Sequence, residues 1–366
     1  MTEATRGATR PEHSRDIRAD KLAGLLAERE LDSLLVTNLV NVRYLTGFTG
    51  TNGACVVTAE ERLFLTDFRY VQRAEQEVRG FERLTAGRDL VGDIAARLRG
   101  RAGFDDAHVT VRVHGKLAEK AAEKVELVAA GGLVEQLRAV KDAGELRLMG
   151  EAARIADGVY EQLRERGLAG RTELEVAREL ERELRERADG PSFPVIVAAG
   201  ENGALPHATP RDVEIPRGTL VVVDMGAQRD GYCSDCTRTF ATGPLDGRAA
   251  EVYELVRSAQ EAARAAVRGG ADCAAVDRVA RERIEAAGHG ERFGHGLGHG
   301  VGLEVHEEPR LTKSAEGRLQ PGNTLTVEPG VYLPGEFGVR IEDLVAVGDD
   351  GCEILTGVSK ELVSVD

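Results

Sequence analysis

Residues 293–307 read FGHGLGHGVGLEVHE, with glycine at every second position from Gly294 to Gly302 and histidine at His295, His299 and His306. Each such glycine weakens a helix by about 1 kcal/mol relative to alanine, so the stretch does not read as a helix. An extended strand over about 295–305 fits better. The glycines then fall on even positions and His295 and His299 on odd ones, so the two sets point to opposite faces. A glycine face lets another backbone or a ligand come close. The opposite face presents imidazoles, which serve as acids, bases and metal ligands near neutral pH. The plainer reading is a glycine-rich loop whose histidines are polar surface groups.

Working outward, two consecutive helical patterns precede this stretch, over about 248–268 and 273–287, and strands follow over about 324–328 and 339–347. The same order occurs earlier. Helices are expected over about 143–166 and 172–187, the second opened by Thr172 with Glu175 three residues on, a capping-box spacing. Strands are expected over 194–199, 220–227 and 233–240. Helix, helix, strands, given twice, predicts two related halves facing one another, without a strong residue-level repeat. A groove between such halves is a natural place for a site. Residues 18–137 alternate differently. A helix over 18–30, a strand over 31–37, a hairpin of 54–58 with 62–66, and helices over 69–77 and 90–98 predict a small α/β domain. Residues 1–17 are polar and charged, which reads as a disordered tail and not a secretory signal.

Composition narrows the function. The chain has 366 residues, enough for roughly two domains. Its formal net charge is -14, its pI about 5.2, and tryptophan is absent. That leaves no basic footprint for nucleic acid and little for base stacking. No apolar run approaches the roughly 20 residues that a membrane helix needs. Five scattered cysteines read as reduced thiols of a cytoplasmic protein, not as a disulfide framework.

Four acids stand where acids are costly. Residues 220–227, LVVVDMGA, form an apolar strand interrupted by Asp224, a position that demands a partner or a metal. Asp235 follows in GYCSDCTRT after the turn-forming QRDG. A turn centred on Arg229 and Asp230 would set Asp224 opposite Asp235. One centred on Asp230 and Gly231 would offset them by two residues on the same face. Two facing carboxylates repel unless cations lie between them. Glu328 ends TLTVE before Pro329-Gly330, and Glu342 sits in GVRIEDLV, two residues from Arg340 and on its face. Singly, either reads as a satisfied structural acid. Jointly, four strand-borne carboxylates and one imidazole suit a pair of divalent ions such as Mn²⁺ or Co²⁺, and Zn²⁺ also fits. Cys233 and Cys236 flank Asp235, but a lone CxxC is weak evidence for zinc.

The segments VVDMGAQRDGYCSDCTRTF, FGHGLGHGVGLEVHEEP, TVEPGVYL and GVRIEDLV, together and in order, resemble the Xaa-Pro peptidases, aminopeptidase P and prolidase. Residues 18–70, containing LLVTNLVNVRYLTGFTGTNG, resemble the creatinase-type N-terminal domain of that family. The resemblance implies an α/β (α+β) chain with that small domain over 18–137. It also implies a pita-bread catalytic domain over 138–366, with pseudo-twofold halves, and a homodimer. Asp224, Asp235, His299, Glu328 and Glu342 would be ligands of two divalent metals, Asp235 and Glu342 bridging both. Glu328 would also relay a proton, from a hydroxide-forming water between the metals to the leaving nitrogen. By the same resemblance, His207 would bind substrate, His306 would stabilise the scissile carbonyl oxygen, and His295 would contact substrate beyond the cleaved bond. Tyr332 and Arg340 would support the ligands. The expected substrates are proline-containing peptides, cleaved as an Xaa-Pro aminopeptidase first and a dipeptidase as the alternative. Arg310 reads equally as a grip for a dipeptide carboxylate or as a surface arginine. Methionine aminopeptidase, metal-free creatinase and a non-catalytic peptide-binding protein of the same fold are further relatives. The first is disfavoured by the N-terminal domain, the others by the complete ligand set.

Overall fold

The structure, a computed structural model, describes residues 11–366, with side chains from Ile17 onward. Of the tail expected over 1–17, the first ten residues lie outside the described residues, and a helix begins at Pro11, not near Arg18. The chain forms two compact units, one ending at Arg138 and the other starting at Ala139.

The first unit is built on a six-stranded mixed sheet in the order Glu82–Thr85, Arg62–Thr66, Gly53–Val57, Ser33–Val36, Arg101–Phe104, Glu126–Ala129. The central strands Ser33–Val36 and Gly53–Val57 are buried along their length, as their unbroken apolar runs require. The two edge strands carry exposed charge, which discourages pairing with another chain. Asn38 opens the helix Leu39–Thr46 by accepting from the Val40 N–H, and Gly47, at φ 86°, closes it. The helices expected over 69–77 and 90–98 are shorter, at Val71–Glu77 and Val91–Ala95.

The second unit follows the doubled pattern. Helices Ala143–Arg166 and Glu173–Arg187 pack on the antiparallel strands Ile196–Ala199, Leu220–Asp224 and Thr237–Ala241. Helices Gly247–Ala266 and Cys273–Ala286 pack on a second sheet, ordered Glu307–Leu311, Gly298–Gly300, Thr324–Val327, Asp343–Val347, Cys352–Ile354. Each half has its own apolar core: one around Tyr160, Leu180 and Val223, the other around Val256, Ile284 and Leu325. Truncating a core leucine such as Leu325 to alanine costs about 2–5 kcal/mol at sites of this kind. The helix starts are strongly written. Asp142 with Glu145 and Thr172 with Glu175 both form complete capping boxes.

Three strands are interrupted where the acids sit. The expected strand 220–227 splits after Asp224, with Ala227–Arg229 joining a separate small sheet. The strand expected over 233–240 breaks at residues 234–236, and the one over 339–347 at residues 341–342. Strand 295–305 contracts to Gly298–Gly300, leaving His295 in the preceding loop. Side-chain contacts such as Thr237 to Glu342 take over where the ladder stops.

Candidate metal centre and active site

The hairpin register decides where the first two acids stand. Asp224 pairs with Thr237, and Arg229 with Tyr232, so the turn is centred on Asp230 and Gly231. Both have positive φ, 47° and 80°, as a two-residue turn of this hand requires. Asp235 is therefore offset by two residues from Asp224, the second of the two registers. Gly226 permits the break between the sheets, since a Cβ there would meet the Ser234 carbonyl oxygen at 1.8 Å. Behind the acids, the buried Tyr160 hydroxyl lies 3.0 Å from the Val223 carbonyl and 2.7 Å from that of Cys236. It pins the backbone beside both carboxylates.

The glycine stretch makes the close approaches its composition suggests. A Cβ at Gly298 would meet the Thr326 carbonyl at 2.0 Å, and one at Gly300 the Glu308 carbonyl at 2.2 Å, whereas Gly294 is open. His299 is held by its N–H donating to Thr326 Oγ1 at 3.1 Å, and its Nδ1 lies 3.0 Å from the Gly300 carbonyl. That contact assigns the Nδ1 proton and turns Nε2 toward the acids. Nε2 lies 3.2 Å from Glu328 Oε1 and 3.8 Å from Asp235 Oδ2. Asp235, His299 and Glu342 each offer a ligand atom within 4.8 Å of the others. Three expected ligands thus form one buried group. The other two, Asp224 and Glu328, line the same cavity.

Arg340 ties the surroundings together. Its guanidinium donates to Asp224 Oδ2 at 2.7 Å, Tyr332 Oη at 3.1 Å, Thr237 Oγ1 at 3.0 Å and the Pro206 carbonyl at 3.0 Å. Thr237 in turn donates to Glu342 Oε2 at 2.7 Å, and Tyr332 Oη lies 2.9 Å from His295 Nε2. All eleven site residues expected from the sequence line one cavity of about 390 Å³: His207, Asp224, Asp235, His295, His299, His306, Arg310, Glu328, Tyr332, Arg340 and Glu342. His207, His306 and Arg310 lie on its exposed wall, and the His306 ring stands edge-on to His299 at 4.4 Å.

The electrostatics are those of a site short of positive charge. Burial, then neighbouring carboxylates, push Asp235 and Glu342 well above the usual carboxylate range. Burial also raises Asp224, despite the opposing pull of Arg340. Glu328 goes the other way: burial would raise it, but the His299 hydrogen bond and charge bring it to about 2. Burial, then the neighbouring His299, lowers His306, so its imidazole is neutral at neutral pH. Asp224 Oδ1 is buried with no hydrogen-bond partner among the described residues. Such an atom calls for a cation or a donor.

The sequence reading missed the supports. Glu173, buried on the helix Glu173–Arg187, accepts from the Ala199 N–H, the Asn202 amide and the Arg211 N–H, each at 2.8 Å. It thereby holds both ends of the segment that carries His207. Thr237 and Thr326 were likewise unmarked. A glutamate opening a helix and threonines in strands carry no signal of their own.

The family model described as Metallopeptidase family M24 matches residues 147–349, and that described as Creatinase/Prolidase N-terminal domain matches residues 18–140. An Xaa-Pro dipeptidase of Pyrococcus furiosus is 33% identical over 94% of this chain and 99% of its own length. Among solved structures, an Xaa-Pro dipeptidase from Bacillus anthracis superposes with a TM-score of 0.92 at 36% identity, covering 95% of this chain and 99% of that one. An X-Pro aminopeptidase from Thermotoga maritima does so with a TM-score of 0.86 at 34% identity, covering 94% and 99%.

Proposed function

We propose that this chain, which belongs to metallopeptidase family M24, is an Xaa-Pro dipeptidase that hydrolyses the bond before a C-terminal proline. It joins a creatinase-type N-terminal domain to a pita-bread catalytic unit. The observation that carries the reading is the buried convergence of Asp235, His299 and Glu342 in a cavity that Arg310 also lines. The dipeptidase named among the relatives with near-complete coverage supports the shorter substrate over the aminopeptidase reading, which the motifs had put first.

The donor set fits divalent metal. Asp224, with its unpartnered Oδ1, would join Asp235, His299, Glu328 and Glu342 in holding two ions, and oxygen-rich donors with one imidazole favour Mn²⁺, with Co²⁺ or Zn²⁺ as substitutes. The chemistry supplied by such a pair when bound is acidification of a water and polarisation of the scissile carbonyl. Glu328, which lines the cavity and lies 3.2 Å from His299, is placed to take a proton from the attacking water and deliver it to the leaving nitrogen. His306, neutral at neutral pH, donates an N–H to the carbonyl oxygen as charge grows there, a contact of a kind worth about 100- to 1000-fold. His207 and His295 bind the substrate, and the Arg310 guanidinium receives the proline carboxylate, which a tripeptide cannot place there. A leaving proline nitrogen has no N–H to satisfy, so the cavity needs no acceptor for it.

The five free cysteines support a reducing, cytoplasmic setting. No described helix is long and apolar enough to cross a membrane. The same reading includes a homodimer, which sedimentation velocity reads directly. The test of the activity is metal-stripped, then Mn²⁺-loaded protein on an Xaa-Pro dipeptide and an Xaa-Pro-Xaa tripeptide. The Thermotoga maritima aminopeptidase structure favours the second reading, and preferred release of Xaa from the tripeptide would establish it.

A further inference from the structure

His295 sits between Gly294 and Gly296, which have no side chains to fix it, and the strand that follows starts only at Gly298. The hold comes from the helix Cys273–Ala286. Asp277 and Arg281, one turn apart, form a two-pronged pair, with Nε 2.8 Å from Oδ2 and Nη2 2.7 Å from Oδ1. Both are buried, Asp277 to 1% exposure. Their other bonds all run to the glycine stretch. Arg281 donates to the Phe293 carbonyl at 2.9 Å and the His295 carbonyl at 2.8 Å, and Asp277 Oδ1 accepts from the Leu297 N–H at 3.0 Å. The guanidinium also lies 4.2 Å from the centre of the Phe293 ring, which packs edge-on against His295.

Three alternate residues, 293, 295 and 297, are thus gripped through their backbones, as a sheet neighbour would grip them. Lost hydration can cancel what pairing two buried charges returns, so the pair is weak evidence of stabilisation by itself. Its fork geometry has a use that a point charge lacks: it meets one carboxylate and two carbonyls at once. We propose that Asp277 and Arg281 are positioning residues for His295, fixing the backbone so that its ring meets Tyr332 and faces the substrate. The inference rests on the proposed function only in that His295 contacts substrate.

The test is Arg281→Lys, which keeps the charge and removes the fork. It is assayed on the dipeptide in the wild-type and His295→Ala backgrounds, with ring ¹⁵N resonances of the metal-free protein recorded alongside. Misplacement of a binding group predicts a KM raised about 10-fold with kcat little changed. In the His295→Ala background the same substitution should change KM less than about 2-fold, because the two act as one unit. The His295 ring resonance should move while that of His207 stays in place. Should Arg281→Lys not fold, Asp277→Asn replaces it, since that variant leaves an oxygen for the Leu297 N–H. Equal KM effects in both backgrounds, or an unmoved His295 resonance, would overturn the proposal. A wild-type protein that cleaved neither peptide would instead remove the functional reading, and the resonance measurement would still decide the positioning role.

Discussion

Asp224 and Asp235 stand on the first half's hairpin with no ion-pair partner from their own half among the described residues, Asp224 being paired at 2.7 Å with Arg340 of the second half, whereas His299 and Glu328 on the second half's sheet face each other at 3.2 Å. One oxygen of Asp224 has no hydrogen-bond partner, and the only ion-pair partner of Asp235 among the described residues is His299, at 3.8 Å. The consequence is electrostatic. Burial raises both first-half acids, while Glu328, helped by His299, falls to about 2. The halves therefore differ in what they supply: the first brings acids alone, and the second brings both Arg340 and His299, which still leaves Asp235 and one oxygen of Asp224 without a close cation. Glu342 belongs to the second half's sequence but shares the first half's condition. Its N–H donates to the Thr237 carbonyl at 3.1 Å, and burial with neighbouring acids raises it.

This inequality predicts different failures. Asp235→Asn should abolish metal binding together with turnover, on the order of 1000-fold or more in kcat. Glu328→Gln should lower kcat by about 100- to 1000-fold while retaining more of the metal. Metal analysis alongside kinetics separates the two, and equal metal loss in both variants would erase the contrast.

Removing the metal should expose the first half's deficit as a dependence on pH. A carboxylate whose folded pKa is raised binds its proton more tightly folded than unfolded. Stability is then lost as pH rises from the unfolded value through the raised one. Asp224, Asp235 and Glu342 act in this sense. So does His299, whose folded pKa is raised against its own burial by Glu328; its contribution is full below about 6.5 and is lost above it. The depressed Glu328 stabilises above about 4.3 and loses that contribution only as pH falls toward about 2, outside the window. The metal-free Tm should fall from about pH 5 to about pH 8, and Mn²⁺ should restore it most at the upper end. A metal-free Tm that rises over this range would contradict the assignment.

The glycine stretch offers a sharper contrast within the second half. Gly298→Ala drives a Cβ to 2.0 Å from a backbone oxygen, whereas Gly294→Ala meets nothing within 4 Å. The first should lose about 3 kcal/mol by denaturant unfolding and the second far less. In the first half, Glu173→Gln should loosen the segment carrying His207 and raise KM about 10-fold, with metal content intact. A change confined to kcat would detach Glu173 from substrate binding.

What was legible in the sequence follows from where each signal lies. The helix Ala143–Arg166 was readable because a periodic apolar face identified its whole run. Asp224 was readable because charge inside an apolar strand is anomalous, whereas Asp235, Glu328 and Glu342 were readable only jointly, as a set of strand-borne acids in motifs that resemble a known family. The hairpin register was not, since either turn placed both acids on one face, and only the pairing of Arg229 with Tyr232, with Gly231 at positive φ, chose between them. The strand expected over 295–305 lost its first part because that backbone is held by Asp277 and Arg281 rather than by a ladder, and its last part to a turn in which the Gly302 N–H donates to the Glu304 carbonyl. Those two residues, like Glu173, look in sequence like an ordinary helix surface. Only the packing of the helix shows that they are buried.

The most direct measurement is kcat/KM of the Mn²⁺-loaded protein on an Xaa-Pro dipeptide and on the same peptide extended by one residue, for wild type and Arg310→Ala. A dipeptidase that grips the proline carboxylate with Arg310 should show metal-dependent cleavage that favours the dipeptide, with Arg310→Ala lowering that preference by about 10-fold or more. Equal or better cleavage of the extended peptide, unaffected by Arg310→Ala, would contradict this reading.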